Sequence, residues 1–98
     1  MGTWFVVATI YIWRVVIDPG VIAKLNTKHQ VTEPEVEEAL QWPSRPSVAL
    51  DDDPDLGRRW IAKAVVANGR PLLAVLLPAQ AWAGDQAEDW VVKTAYWV

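Results

Sequence analysis

The dipeptide Asn68-Gly69 is the feature that most constrains the fold, because it joins two apolar runs of strand composition. A type I′ turn needs positive φ at both central positions, and Asn-Gly is a pair that tolerates this backbone well. The pattern therefore predicts a β-hairpin, with one strand over residues 58–67 and the next over residues 71–77.

The register of this hairpin decides which side chains share a face of the sheet. A two-residue loop places Val65 opposite Leu72 and Lys63 opposite Ala74. One face is then wholly apolar and is expected to lie under the helices. The other face is expected to stay open, with only positive charge among its side chains, which are Arg59, Ile61, Lys63, Val65, Arg70, Leu72 and Ala74. Such a face suits RNA or a protein partner, although outward lysines and arginines also serve solubility and protect sheet edges.

Two helices are predicted upstream of the hairpin from their capping signals. Asp is a favoured N-cap and Pro a favoured first helical residue, so Asp18-Pro19 starts a helix over residues 19–29. Thr32 and Glu35 have the spacing of a capping box, in which each side chain bonds the other residue's free backbone N–H. The second helix therefore starts there and ends before the next proline.

The remaining segments complete an α+β fold. Residues 11–17 predict the first strand, and residues 3–10 either extend it or are dispensable. The acidic, proline-rich residues 42–56 predict a linker, and residues 90–98 predict the last strand. The order β-α-α-β-β-β over a single domain, residues 1–98, indicates two helices on one face of an antiparallel sheet.

The composition excludes several classes of function. The chain has no cysteine, so disulfide scaffolds and thiol catalysis are excluded. Its single histidine, His29, excludes a His-only metal site, and we expect no metal and no cofactor. The apolar N-terminal run is too short to span a bilayer and lacks the basic start of a signal peptide, so we expect a cytoplasmic protein without a membrane partner.

The formal net charge of −3 argues at first against a polyanion partner. However, eight of the twelve acids lie in residues 33–38 and 51–55, which leaves four acids against nine bases elsewhere. The sequence therefore predicts that any RNA contact is confined to the basic open face and depends strongly on salt.

Several short motifs follow one another in the order Lys24-Leu25-Asn26-x-Lys28-His29-x-Val31-Thr32, Glu35-Val36-Glu37-Glu38-Ala39-Leu40, Asp53-Pro54, Gly57-Arg58-Arg59-Trp60-Ile61 and Asn68-Gly69-Arg70-Pro71-Leu72. This order, over residues 13–98, resembles the BrnT-type ribonuclease toxins of bacterial type II toxin–antitoxin pairs. The chain departs from the family pattern at its last strand, which has one lysine, Lys93, where the family has an arginine-rich element.

The resemblance implies a RelE-like fold and a metal-independent endoribonuclease that cleaves RNA and inhibits translation. It also implies a cognate antitoxin that covers the active surface, with assembly as a dimer or as a heterotetramer with the antitoxin. The residues to which we assign catalysis are His29, Arg59, Lys63 and Arg70. The residues to which we assign RNA binding are Lys24, Lys28, Arg58 and Lys93.

Each assignment has a structural alternative. His29 also fits a residue that packs and bonds a carbonyl at the end of a helix, and Lys24 and Lys28 also fit a solvated helix face. Tyr96 fits a proton carrier or a core or interface residue, and Trp82 fits an exposed interface anchor. At the level of function, the alternative is a non-enzymatic protein-interaction module or decayed toxin on the same fold.

Overall fold

The computed structural model describes residues 6–55, 57–66 and 69–98 of the chain. Its strands are β1 (Val6–Ala8), β2 (Arg14–Val16), β3 (Ser47–Asp53), β4 (Gly57–Val65), β5 (Pro71–Pro78) and β6 (Asp89–Trp97). Its helices are α1 (Pro19–Lys24), which continues into a π-helical turn (Leu25–His29), α2 (Glu33–Leu40) and a 3₁₀ segment (Ala81–Gln86). The strands form one sheet in the spatial order β1-β3-β4-β5-β6-β2. All neighbours are antiparallel except β2 and β6.

The α+β class is confirmed, but the strand order differs from the prediction. The strand predicted over residues 11–17 shortens to β2, which pairs with β6 at one edge of the sheet. Residues 3–10, predicted to extend that strand or to be dispensable, contain β1, which pairs with β3 at the opposite edge. Between them the chain leaves the sheet at Ile12, whose side chain is buried and whose carbonyl accepts the N–H of Trp42 at 2.7 Å. The predicted extension over residues 3–10 lies partly outside the described residues.

The prediction of a linker over residues 42–56 is wrong, because most of its acidic run belongs to β3. The carboxylate of Asp51 accepts from the guanidinium of Arg59, and that of Asp52 accepts from Arg58, each from the opposite position on β4. Aspartate is disfavoured in strands, and an opposite charge directly across the ladder offsets that unfavourable propensity.

Both predicted helices are confirmed. The Thr32 hydroxyl accepts from the N–H of Glu35, and the Glu35 carboxylate accepts from the N–H of Thr32, so the capping box is complete. The first helix starts at Asp18 as expected, and its last turn, Leu25–His29, is π-helical rather than α-helical.

The helices bury their apolar side chains against one face of the sheet, which we call the helix face. The Trp60 ring fills this core as expected and meets Trp90 at a centroid distance of 5.3 Å. The fully buried side chains include Leu25, Val31, Val36, Leu40, Leu72, Leu76, Trp90 and Val92. We call the opposite face of the sheet the open face. No helix within the described ranges is long and apolar enough to cross a membrane.

The hairpin between β4 and β5 is one residue longer than predicted. The N–H of Gly69 donates to the carbonyl of Val66 at 2.8 Å, and the N–H of Val66 donates to the carbonyl of Arg70 at 3.0 Å. Gly69 has a φ of 86°, which is the left-handed position that closes a three-residue loop with a bulge. Ala67 and Asn68, where the two-residue turn was predicted to begin, lie outside the described residues.

This longer connection changes the register of the hairpin. Lys63 lies opposite Leu73 rather than Ala74, and Ile61 lies opposite Val75. A shift of one residue turns every side chain of a strand to the other face. The residues of β5 that are buried on the helix face are therefore Leu72, Ala74 and Leu76, and those on the open face are Leu73, Val75 and Leu77.

We expect Gly69→Ala to lower the free energy of unfolding by about 1–2 kcal/mol, because a Cβ disfavours the left-handed backbone. An added Cβ would meet no atom within 4 Å, so the effect comes from the backbone alone. Urea denaturation followed by circular dichroism measures it.

Gly20→Ala is the matched control, because Gly20 is helical and its added Cβ would lie 3.4 Å from Asp18 Oδ1. The control should retain or gain stability, since alanine favours helix. Equal losses in both variants would contradict the left-handed turn at Gly69.

Candidate functional site

The open face carries more apolar surface than the sequence indicated. With the observed register, the leucines and valine of β5 lie beside Arg59, Ile61, Lys63 and Val65, whereas the prediction placed Arg70, Leu72 and Ala74 there. Exposed valines extend the surface at both edges, with Val7 on β1 and Val16 on β2. The expected basic face is therefore an apolar surface with isolated charges.

Arg59 is neutralised on this face. Its guanidinium donates to the Asp51 carboxylate at 2.5 Å, and both side chains are mostly buried, with exposures of 26% and 17%. The Nε of Arg59 is buried and has no hydrogen-bond partner among the described residues. The prediction that the open face carries only positive charge is wrong, because Asp51 shares this face with Arg59.

Lys63 and Tyr96 lie on one line across the open face. Ser47 on β3 is opposite Lys63 on β4, which is opposite Leu73 on β5, which is opposite Tyr96 on β6. Residues directly opposite one another project to the same side, so these four side chains form what we call the cross-strand row. Lys63 is exposed, and Tyr96 is 39% exposed.

His29 lies at the end of the cross-strand row. The π-helical turn packs against β6, and the imidazole of His29 lies 5.9 Å from the ring of Tyr96, centroid to centroid. The imidazole is half-buried. The fold thus places His29 next to Tyr96, and Lys63 lies two strands further along the same row. At the usual strand spacing, the backbones of Tyr96 and Lys63 are about 10 Å apart.

Arg70 does not join Arg59 and Lys63 on the open face, although all three were predicted to lie there. Its Cζ lies 4.1 Å from the centroid of the Trp97 ring. The Trp97 indole N–H donates to the carbonyl of Gln30 at 3.2 Å. Trp97 lies opposite buried Leu72, so Arg70 packs at the helix-face side of the sheet.

The four residues expected to bind RNA are dispersed. Arg58 pairs with exposed Asp52 on the helix-face side, and Lys24 and Lys28 are exposed on α1 and the turn that follows it. Lys93 is exposed on β6, between the register positions of Val92 and Thr94, where the ladder with β5 is irregular. Lys93, Val91 and Trp97 were predicted to share one face, but this irregularity puts Val91 on the open face and Trp97 on the other.

An aromatic cluster next to the open face was missed from the sequence. Trp42 packs against Tyr11 and Trp13, at centroid distances of 5.5 and 5.4 Å, and Arg45 Cζ lies 5.3 Å from the Trp42 ring centroid. All three rings are at least 38% exposed. The local signal was the alternation of aromatic residues at positions 11 and 13, but only the fold brings residue 42 to them. Trp82, the expected interface anchor, is 88% exposed on the 3₁₀ segment elsewhere.

Comparison with protein-family models, with curated proteins and with solved structures gave no match to this chain. Within the described ranges, no three His, Asp or Glu side chains come together in a group that could hold a metal ion.

The two neighbouring arginines of β4 are expected to differ in their effect on stability. Arg59→Ala should lower the free energy of unfolding by about 1.5–3 kcal/mol, because it leaves Asp51 mostly buried without its charge partner. Arg58→Ala should cost less than about 1 kcal/mol, because its pair with Asp52 is exposed. Chemical denaturation of both variants tests this, and equal losses would contradict a structural role for Arg59.

Proposed function

We propose that the chain is the toxin of a bacterial toxin–antitoxin pair, a cytoplasmic endoribonuclease that needs no metal and inhibits translation. The observation that supports this proposal most is the cross-strand row with His29 at its end. It gathers an imidazole, a phenol and an ammonium group along one accessible line. Groups of these kinds supply the proton transfer and charge stabilisation that metal-free cleavage of RNA needs.

In the proposed reaction, the His29 imidazole takes the proton of a ribose 2′-hydroxyl, since histidine exchanges protons readily near neutral pH. The 2′-oxygen attacks the adjacent phosphorus, and the Lys63 ammonium group stabilises the charge on the phosphorane. The bond to the 5′-oxygen breaks, and the Tyr96 hydroxyl donates its proton to that oxygen. The products are a 2′,3′-cyclic phosphate and a 5′-hydroxyl end. Solvent then takes the extra proton from His29 and restores one to Tyr96.

The apolar part of the open face supports the second half of the proposal, a protein partner that neutralises the toxin. Val75 and Leu77 lie on this face together with Val91, next to the cross-strand row. A partner that buried these side chains would also cover Lys63 and Tyr96. The proposed antitoxin therefore inhibits by occlusion, in a dimeric or heterotetrameric complex.

We expect the purified chain to cleave single-stranded RNA in the presence of EDTA and to leave 2′,3′-cyclic phosphate ends. His29→Ala should lower kcat by about 100-fold or more, because the variant loses a proton-transfer group. Tyr96→Phe and Lys63→Ala should also lower kcat. Arg14→Ala is the matched control, because Arg14 is an exposed arginine paired with Asp89 at the β2 edge, and this variant should retain activity.

Cleavage that is identical in the control and in the His29, Tyr96 and Lys63 variants would contradict the proposed roles and would point to a contaminating nuclease. Product ends that carry a 3′-hydroxyl would contradict attack by the 2′-oxygen.

A non-enzymatic interaction module is the second candidate, and the neutral Asp51–Arg59 pair favours it. This pair neutralises Arg59, one of the cations to which catalysis was assigned, while the surrounding face remains apolar. Such a module would bind its partner tightly without arresting growth. Expression of the chain alone separates the two candidates, since the toxin predicts arrest and the module predicts normal growth.

A further inference from the structure

A cavity of about 560 Å³ opens at the end of the open face where β1, β3 and β4 meet the aromatic cluster. Its apolar wall includes Ala49, Ile61 and Leu73, and Tyr11, Arg45 and Lys63 also line it. Small-molecule sites have volumes of about 300–1,000 Å³ and a mostly apolar lining with a few placed polar groups. The cavity therefore has the size and lining of a ligand site, and it shares Ser47, Lys63 and Leu73 with the cross-strand row.

The positive charge of the residues that line this cavity favours an anionic ligand. Among the described residues that line it, the charged side chains are Arg45 and Lys63, and both are cationic. Neither forms an ion pair within the described part of the chain. The nearest acid on β3, Asp51, is two residues beyond Ala49 and is engaged by Arg59. Two cations beside apolar walls complement an anion that also has an apolar or aromatic part.

The aromatic cluster positions the cationic and aromatic side of this cavity. Trp42 is hydrogen-bonded to the N-terminal segment, since its backbone N–H donates to the carbonyl of Ile12 at 2.7 Å. Its ring and that of Tyr11 pack in a T-shaped arrangement, and Arg45 Cζ lies over the Trp42 ring, 5.3 Å from the ring centroid. Tyr11 is held by this packing but remains 50% exposed, so its ring is available to a planar ligand group.

We propose that this cavity binds one nucleotide of single-stranded RNA beside the cross-strand row. The base packs on Tyr11 and the apolar wall, and Arg45 and Lys63 contact the phosphates on either side of it. An exposed aromatic ring next to cations is the arrangement by which proteins bind single strands. An acidic peptide would use the two cations but would leave the aromatic and apolar walls without a planar partner. The inference rests on the proposed function, because it takes RNA as the substrate.

The test is the binding of a fluorescein-labelled ten-nucleotide single-stranded RNA, followed by anisotropy over a series of salt concentrations. Tyr11→Ala should weaken binding about tenfold without changing the salt dependence, because a stacking contact is lost. Arg45→Ala should weaken binding and lower the slope of log K against log salt by about 0.7, because one phosphate contact is lost. Arg45→Lys should keep the slope, and the Arg14→Ala control should match the unmodified chain.

The possible outcomes separate this inference from the proposed function. RNA that binds with these variant effects but is not cleaved would sustain the nucleotide site and overturn the endoribonuclease. RNA that is cleaved with the same KM by Tyr11→Ala, Arg45→Ala and the unmodified chain would sustain the endoribonuclease and overturn the site. A labelled decaglutamate peptide that binds as tightly as RNA, and is weakened equally by Tyr11→Ala, would also overturn it. Circular dichroism of each variant establishes that it is folded.

Discussion

The two backbone hydrogen bonds of Val66 close the hairpin between β4 and β5, and the register of the central sheet depends on them. They admit three residues between Val66 and Arg70, with Gly69 in the left-handed region that this loop requires. Because side chains alternate along a strand, this one-residue difference decides which set of alternate β5 side chains is buried on the helix face. It also sets Leu73 between Lys63 and Tyr96, so the cross-strand row exists only in this register.

Charge on the open face is local and not spread over the surface. Asp51 cancels Arg59 in a mostly buried pair, while Lys63 and Arg45 are exposed beside the cavity next to β1. The net charge of −3 is therefore compatible with an anionic ligand at one end of the face. The apolar remainder of the face is better suited to a protein partner, so one surface can serve both parts of the proposed toxin–antitoxin function.

The sequence predicted the parts of the fold that depend on neighbouring residues. The capping box at Thr32 and the strands around the hairpin were recognisable because their signals are local. β3 was missed because its acids look like a solvated loop until the arginines of β4 are placed opposite them. The register was also missed, because β5 is apolar on both faces and its pattern cannot choose between them. For the same reason the site was only partly predictable. Lys63 and His29 were named from the sequence, but their alignment with Tyr96 follows only from the observed register of β4, β5 and β6.

The site depends most on the register of β4 and β5, and nuclear Overhauser effects between assigned backbone protons test that register most directly. We expect cross-strand contacts that place Lys63 opposite Leu73 and Leu73 opposite Tyr96, with Val66 paired to Arg70. Contacts that place Lys63 opposite Ala74 and Val65 opposite Leu72 would contradict it. That result would bury Leu73 and remove the cross-strand row.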